Sequence, residues 1–171
     1  MGNKLFIICP FSGLEHFLRT KYGEDVFFLT YSASILQHND YEYITELRQF
    51  ILREKIKSIT FVNDISCRFI KQVIQQKEKF GLASESTLEE LYIEHYFSEF
   101  KDKSMLDQTY NLAKLNVMKQ VHECLQSSII GKTIEENAIK VKGLICSKIT
   151  RSIADINITD KKQHELQLTY W

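Results

Sequence analysis

The residues of this 171-residue chain best suited to chemistry are two thiols and a carboxylate. Cys9 closes the apolar run KLFIIC, while Asp64 and Cys67, three positions apart, close the run SITFVNDISC. Thiolate sulfur and carboxylate oxygen are both zinc donors, so Cys9, Asp64 and Cys67 form a candidate metal set. Apolar runs that end side by side in a parallel α/β sheet place such groups at its carboxyl edge, where these sheets bind ligands. Asp64 and Cys67 also open a predicted helix, whose first-turn amides favour anions and thiolates. Other readings of the same residues stand beside this one. Asp64 suits the N-cap of a helix beginning at Ile65 and could pair with Arg68. Cys9 could be a small core residue and Cys67 a thiol of lowered pKa without a ligand role. The two thiols could also form a redox pair, although no C-x-x-C motif is present. His16, His38, His95, His122 and His164 are scattered, with no H-x-x-x-H spacing.

The elements that must position these groups follow from hydrophobic periodicity. Lys4–Cys9, Asp25–Leu29 and Ser58–Asn63 are apolar runs of strand length, suited to burial on both faces. A short helix separates the first two. Tyr43, Ile44, Leu47, Phe50 and Ile51 recur at helical spacing, with Asn39 as the expected N-cap and Glu42 as its capping-box partner. Ile65, Phe69, Ile70, Val73 and Ile74 mark another helical face ending before Gly81. Strands alternating with helices of this length require parallel pairing through right-handed crossovers. Ser86 and Glu89 read as the capping box of a further helix, with Tyr92, His95 and Tyr96 on its stripe. Leu115, Met118, Val121, Cys124 and Leu125 mark a later amphipathic helix, in which Cys124 is a packing residue. A short helix near Ser128–Glu136 leads to the strand Ile139–Cys146, which includes the fourth cysteine. A turn over Lys148–Arg151 then returns the chain as Ser152–Ile156, an antiparallel edge.

Composition narrows the function classes. Twenty-two basic residues balance 22 acidic ones, and no basic stripe interleaved with aromatics stands out, so nucleic acid is not an expected partner. The longest apolar runs fall far short of the roughly 20 residues that span a bilayer, and no leader-like segment opens the chain. Membrane association is therefore not expected, and a cytoplasmic location is. Four cysteines in such a chain read as reduced thiols or ligands, not a disulfide framework. One domain over residues 1–171 is expected, with a C-terminal tail or arm over 158–171.

The order of these elements resembles the β-class carbonic anhydrases. The stretch NVMKQVHECLQSSIIGKTIEENAIKVKGLICSKITRSIADI is similar to that family's ending, with Asn116, Val117, Gln120, Val121 and Gly143 carrying the match. Upstream, IICPFSG stands where the family has C-x-D-x-R, VFFLTYSASIL where it has R-N-A-G-N, and FVNDISC where it has G-H-x-x-C. The resemblance implies a parallel core of about four strands flanked by helices, an antiparallel C-terminal edge strand, and a homodimer or higher homo-oligomer. It also implies zinc held by two thiolates and an imidazole. Cys9 and Cys67 match the thiolate positions, and Asp64 stands where the family has histidine.

The departures are equally specific. The family's Asp–Arg dyad, which holds the metal-bound hydroxide, falls on Phe11 and Gly13. The R-N-A-G-N positions read Thr30, Tyr31, Ser32, Ala33 and Ser34, and the first strand begins almost at Met1, without the family's N-terminal helices. Two functions follow from this pattern. The first is a pseudoenzyme, a binding or assembly protein without ordinary CO₂ hydratase activity, with or without a retained zinc. The second is a zinc-dependent lyase or hydrolase for a small substrate, with Cys9, Asp64 and Cys67 as ligands. Tyr92, Tyr96, Phe97 and Phe100 exceed what one helix face needs, which marks this segment as a candidate dimer surface, with cover for the sheet of a monomer as the alternative. The sequence names no small-molecule ligand.

Overall fold

A computed structural model describes residues 2–156. The expected tail at 158–171 lies outside the described residues. Every apolar run forms the strand it predicts. β1 (Asn3–Ile8), β2 (Val26–Thr30), β3 (Ile56–Asp64), β4 (Lys140–Ser147) and β5 (Ser152–Ile156) make one sheet in the order β2-β1-β3-β4-β5. The first four strands are mutually parallel, and β5 pairs antiparallel with β4. β1 and β3 lie side by side at the centre, so Cys9 and Asp64 leave the sheet at the same carboxyl edge.

Helices cover both faces, as buried parallel strands require. Strand alternation sends Leu5, Ile7, Ile59 and Phe61 to the larger core. There they meet α2 (Tyr41–Arg53), α3 (Arg68–Ile74), α4 (Ala83–Glu94), α5 (Met105–Gln126) and α6 (Ile130–Glu136). Phe6, Ile8, Val62, Leu144 and Cys146 face a smaller core that contains Leu18 of α1 (Glu15–Tyr22) and Leu14 just before it. Gly143 lets α5 approach β4 closely, because a Cβ there would lie 2.1 Å from Val117 Cγ1. Val117 and Gly143, two residues that carry the family resemblance, are thus one packing contact.

Local details depart from the sequence expectation at helix starts. Asp40, not Asn39, caps α2, its Oδ1 accepting from the Tyr43 amide at 3.0 Å. The helix expected from Ile65 begins at Arg68, because Asp64 closes a turn onto Ser66 before it. The Ser86–Glu89 box is replaced by Glu85, whose buried carboxylate accepts from the Phe80 and Leu82 amides, both at 2.8 Å. An acidic side chain can satisfy orphan amides from inside the first turn as well as from the cap. Cys124 is buried in the larger core, as its helical spacing implies.

Candidate functional site

Cys9 follows the last residue of β1, and a tight turn fixes it: the Ser12 amide donates to its carbonyl at 3.0 Å and the Ser12 hydroxyl at 2.6 Å. Cys67 ends the turn after β3, its amide donating to the Asp64 carbonyl at 2.9 Å. The parallel pairing of β1 with β3 brings the two thiols together, and their side-chain interaction is the largest influence on both groups. It draws the Cys9 thiol down from 9.0 to about 7 against the opposing effect of burial, with help from the Phe11 and Ala33 amides and the Arg68 charge. It pushes Cys67 well up, and burial adds to the rise. Ionisation of the pair is therefore eased at Cys9 and opposed at Cys67. Both are sealed, with exposures of 2% and 5%.

The loop after β2 closes one side of this pair. Ala33 and Ser34 have φ of 54° and 62°, a left-handed excursion by two non-glycine residues that directs the Ala33 amide at Cys9. Such a conformation is costly and needs outside support. Asn63 and Asn116 both donate to the Ala33 carbonyl, at 3.0 and 2.8 Å, and Asn116 also donates to Asn63 Oδ1 at 2.9 Å. The Ser34 hydroxyl donates to the Val62 carbonyl at 2.6 Å, and Gln120 Oε1 accepts from the Leu36 amide at 2.9 Å. Asn116 and Gln120 of the N-V-x-x-Q-V signature are therefore loop anchors. In sequence, Ala33 and Ser34 stand out only as positions of the R-N-A-G-N loop, and Asn63 only as the end of a strand. A buried amide inside the apolar strand run was the available signal for Asn63, whereas no residue type announces the positive φ values.

Asp64 is not gathered with the thiols. Its Oδ1 accepts from the Ser66 amide and the Ser66 hydroxyl, each at 2.6 Å, and its charge adds to the burial that pushes up the thiol of Cys146 in the smaller core. Its Oδ2 is buried with no hydrogen-bond partner among the described residues. The expected pairing with Arg68 does not form. Instead the Arg68 guanidinium carbon lies 5.0 Å from the Phe11 ring centroid and 4.3 Å from that of Phe80. Among the described residues no group of three or more His, Cys, Asp or Glu side chains is arranged to hold a metal. A catalytic zinc needs three protein donors and an open position, and the donors as they stand do not fit that requirement.

Phe11 and Gly13 are the residues that the sequence resemblance sets at the dyad positions. The Phe11 ring is 60% exposed and packs edge-on against Phe69, with centroids 5.7 Å apart. Gly13 has φ of 58°, and a Cβ there would lie 2.8 Å from the Lys148 ammonium, which donates to the Ser12 carbonyl at 3.3 Å. Neither position carries a side chain that can accept a proton or bind a hydroxide.

Comparison with solved structures places this arrangement among known architectures. The β-carbonic anhydrase CafA of Aspergillus fumigatus superposes with a TM-score of 0.79 over 98% of this chain and 82% of its own, at 20% identity. The fold is that of the β-carbonic anhydrases. A tetrameric β-carbonic anhydrase of Sordaria macrospora gives 0.79 over 91% of this chain and 81% of its own, at 17% identity. The Coccomyxa β-carbonic anhydrase in complex with acetazolamide gives 0.76 over 99% and 84%, also at 17%. No family model matches the sequence, and no curated protein matches it. The β-carbonic anhydrase fold and its antiparallel edge strand are thus as expected from the resemblance. Among the described residues no helix is long and apolar enough to cross a membrane.

Proposed function

We propose that this chain uses the β-carbonic anhydrase fold as a binding or assembly scaffold and lacks ordinary CO₂ hydratase activity. The observation that carries this reading is the replacement of the hydroxide-holding pair by Phe11 and Gly13. Hydration of CO₂ needs a water ionised near neutral pH, a group that orients it and room for the gas. At the first dyad position an aromatic ring rests beside Arg68, and at the second a lysine ammonium fills the space a side chain would use. The sealed thiols add to this, since a substrate must reach them. The homo-oligomer implied by the resemblance is the natural setting for such a scaffold, supported by the tetrameric Sordaria protein of like fold. Stopped-flow CO₂ hydration by zinc-loaded protein tests the proposal, with a rate no greater than that of buffer as the expected result.

A second reading keeps zinc on Cys9, Asp64 and Cys67 and with it a lyase or hydrolase activity on a small substrate. The unpartnered Asp64 Oδ2 favours it, because a buried carboxylate oxygen without a donor is costly and a cation would relieve it. This reading requires Asp64 to turn from Ser66 toward the thiols. Zinc stoichiometry separates the two: equimolar metal lost in Asp64→Asn and in Cys9→Ser supports the second reading, and metal retained in Asp64→Asn removes it.

A further inference from the structure

The Arg68 side chain is held in its place by aromatic groups, and among the described residues none of its side-chain N–H donors has an acceptor. Phe69, buried at the start of α3, meets the ring of Phe11 on one side and that of Phe80 on the other, with centroids 5.7 and 5.6 Å away. These two rings, both at least half exposed, lie within cation–π range of the guanidinium. Stacking of this kind uses the faces of the group and leaves its edge donors free. Among the described residues Arg68 makes no hydrogen bond or salt bridge.

Arg68 opens onto a groove of about 570 Å³ whose wall also carries Lys71, Lys77, Glu78 and Phe80. Three cations thus face a single carboxylate, in a chain with no net charge. Lys79, the next cation along, is already taken by Glu89. A fixed guanidinium fork with flanking ammonium charges suits a tetrahedral dianion, since arginine binds its oxygens bidentately and lysine supplies charge without fixed geometry. A monocarboxylate would leave the groove with excess positive charge.

We propose that this groove binds the phosphate group of a small molecule, with Arg68 as the principal contact and Lys71 and Lys77 as supporting charges. Neither thiol lines the groove, although the Arg68 charge also acts on Cys9, and the proposal stands whether or not the chain hydrates CO₂.

The test is titration of the full chain at constant ionic strength with inorganic phosphate, glycerol phosphate and acetate, followed by calorimetry and by NMR shifts of the Arg68 and Lys71 side chains. Phosphate or its ester should bind saturably and shift both side chains, with acetate weaker by about tenfold or more. Preference for the ester would assign the groove to a phosphorylated metabolite, and preference for the free ion would assign it to phosphate itself. Arg68→Gln should weaken binding by about tenfold, and Arg68→Lys should restore only part of it. Lys132→Gln, on α6 and outside the groove, controls for loss of general charge. Absence of saturable shifts, or equal effects of Arg68→Gln and Lys132→Gln with circular dichroism unchanged, would overturn the proposal.

Discussion

The thiols of Cys9 and Cys67 meet beyond the carboxyl ends of two adjacent parallel strands, where their interaction eases ionisation of Cys9 and opposes that of Cys67. Metal-free protein should therefore gain one thiolate near pH 7, visible in its ultraviolet thiolate absorbance. Cys67→Ala removes that interaction and should move the step upward, toward the ordinary thiol range. Absence of any thiolate until alkaline pH in the parent protein would show that Cys67 does not ease the ionisation of Cys9.

The Asn116 amide holds the left-handed Ala33–Ser34 loop in place. Asn116→Ala leaves the Ala33 carbonyl with one donor and Asn63 Oδ1 without its partner, and should cost about 1–3 kcal/mol. Chemical denaturation measures the loss. Hydrogen exchange should show faster opening at Leu36 in this variant, and faster still in Gln120→Ala, which removes the acceptor of the Leu36 amide directly.

Close approach of α5 to β4 depends on Gly143. A methyl group there collides with Val117, so Gly143→Ala should destabilise the protein by about 1–3 kcal/mol. Combining it with Val117→Ala removes the colliding methyl carbon, and the double variant should lose less than the two single losses combined. Strict additivity in denaturant melts would show that the two residues do not meet.

His38 gives the fold an acid-sensitive point. Both ring nitrogens are buried without hydrogen-bond partners among the described residues, and burial holds its pKa below the ordinary 6.5, with Glu123 opposing the shift. The unfolded chain takes up this proton at a higher pH than the folded one, so stability present above about pH 6.5 declines as pH falls below it. His38→Leu should flatten that part of the stability profile in denaturation measured from pH 7.5 to about 5. An unchanged acid slope in the variant would assign the sensitivity to other groups.

Much of this architecture was legible because its signals are periodic. Lys4–Cys9 and Ser58–Asn63 are continuous apolar runs, and the Lys148–Arg151 turn separates two short alternating ones, so the parallel core and edge hairpin follow from pattern alone. The ordered matches at Asn116, Gln120 and Gly143 carried the fold resemblance, although their roles as loop anchors and packing partner emerged only from contacts. Side-chain direction at the site was not legible. Asp64 suits a metal ligand, a helix cap or a turn equally well, and the neighbouring Ser66 decided for the turn by supplying two donors. Arg68 offered a charge partner to Asp64 in sequence, but Phe11 and Phe80, 57 and 12 positions away, hold it elsewhere.

The scaffold proposed for this fold, with Phe11 and Gly13 where the resemblance sets the dyad, is expected not to hydrate CO₂. The most direct test is stopped-flow hydration at neutral pH with protein reconstituted in zinc and its metal content measured in the same sample. A rate indistinguishable from buffer is the predicted result. Turnover proportional to protein concentration and abolished by Cys9→Ser would contradict it.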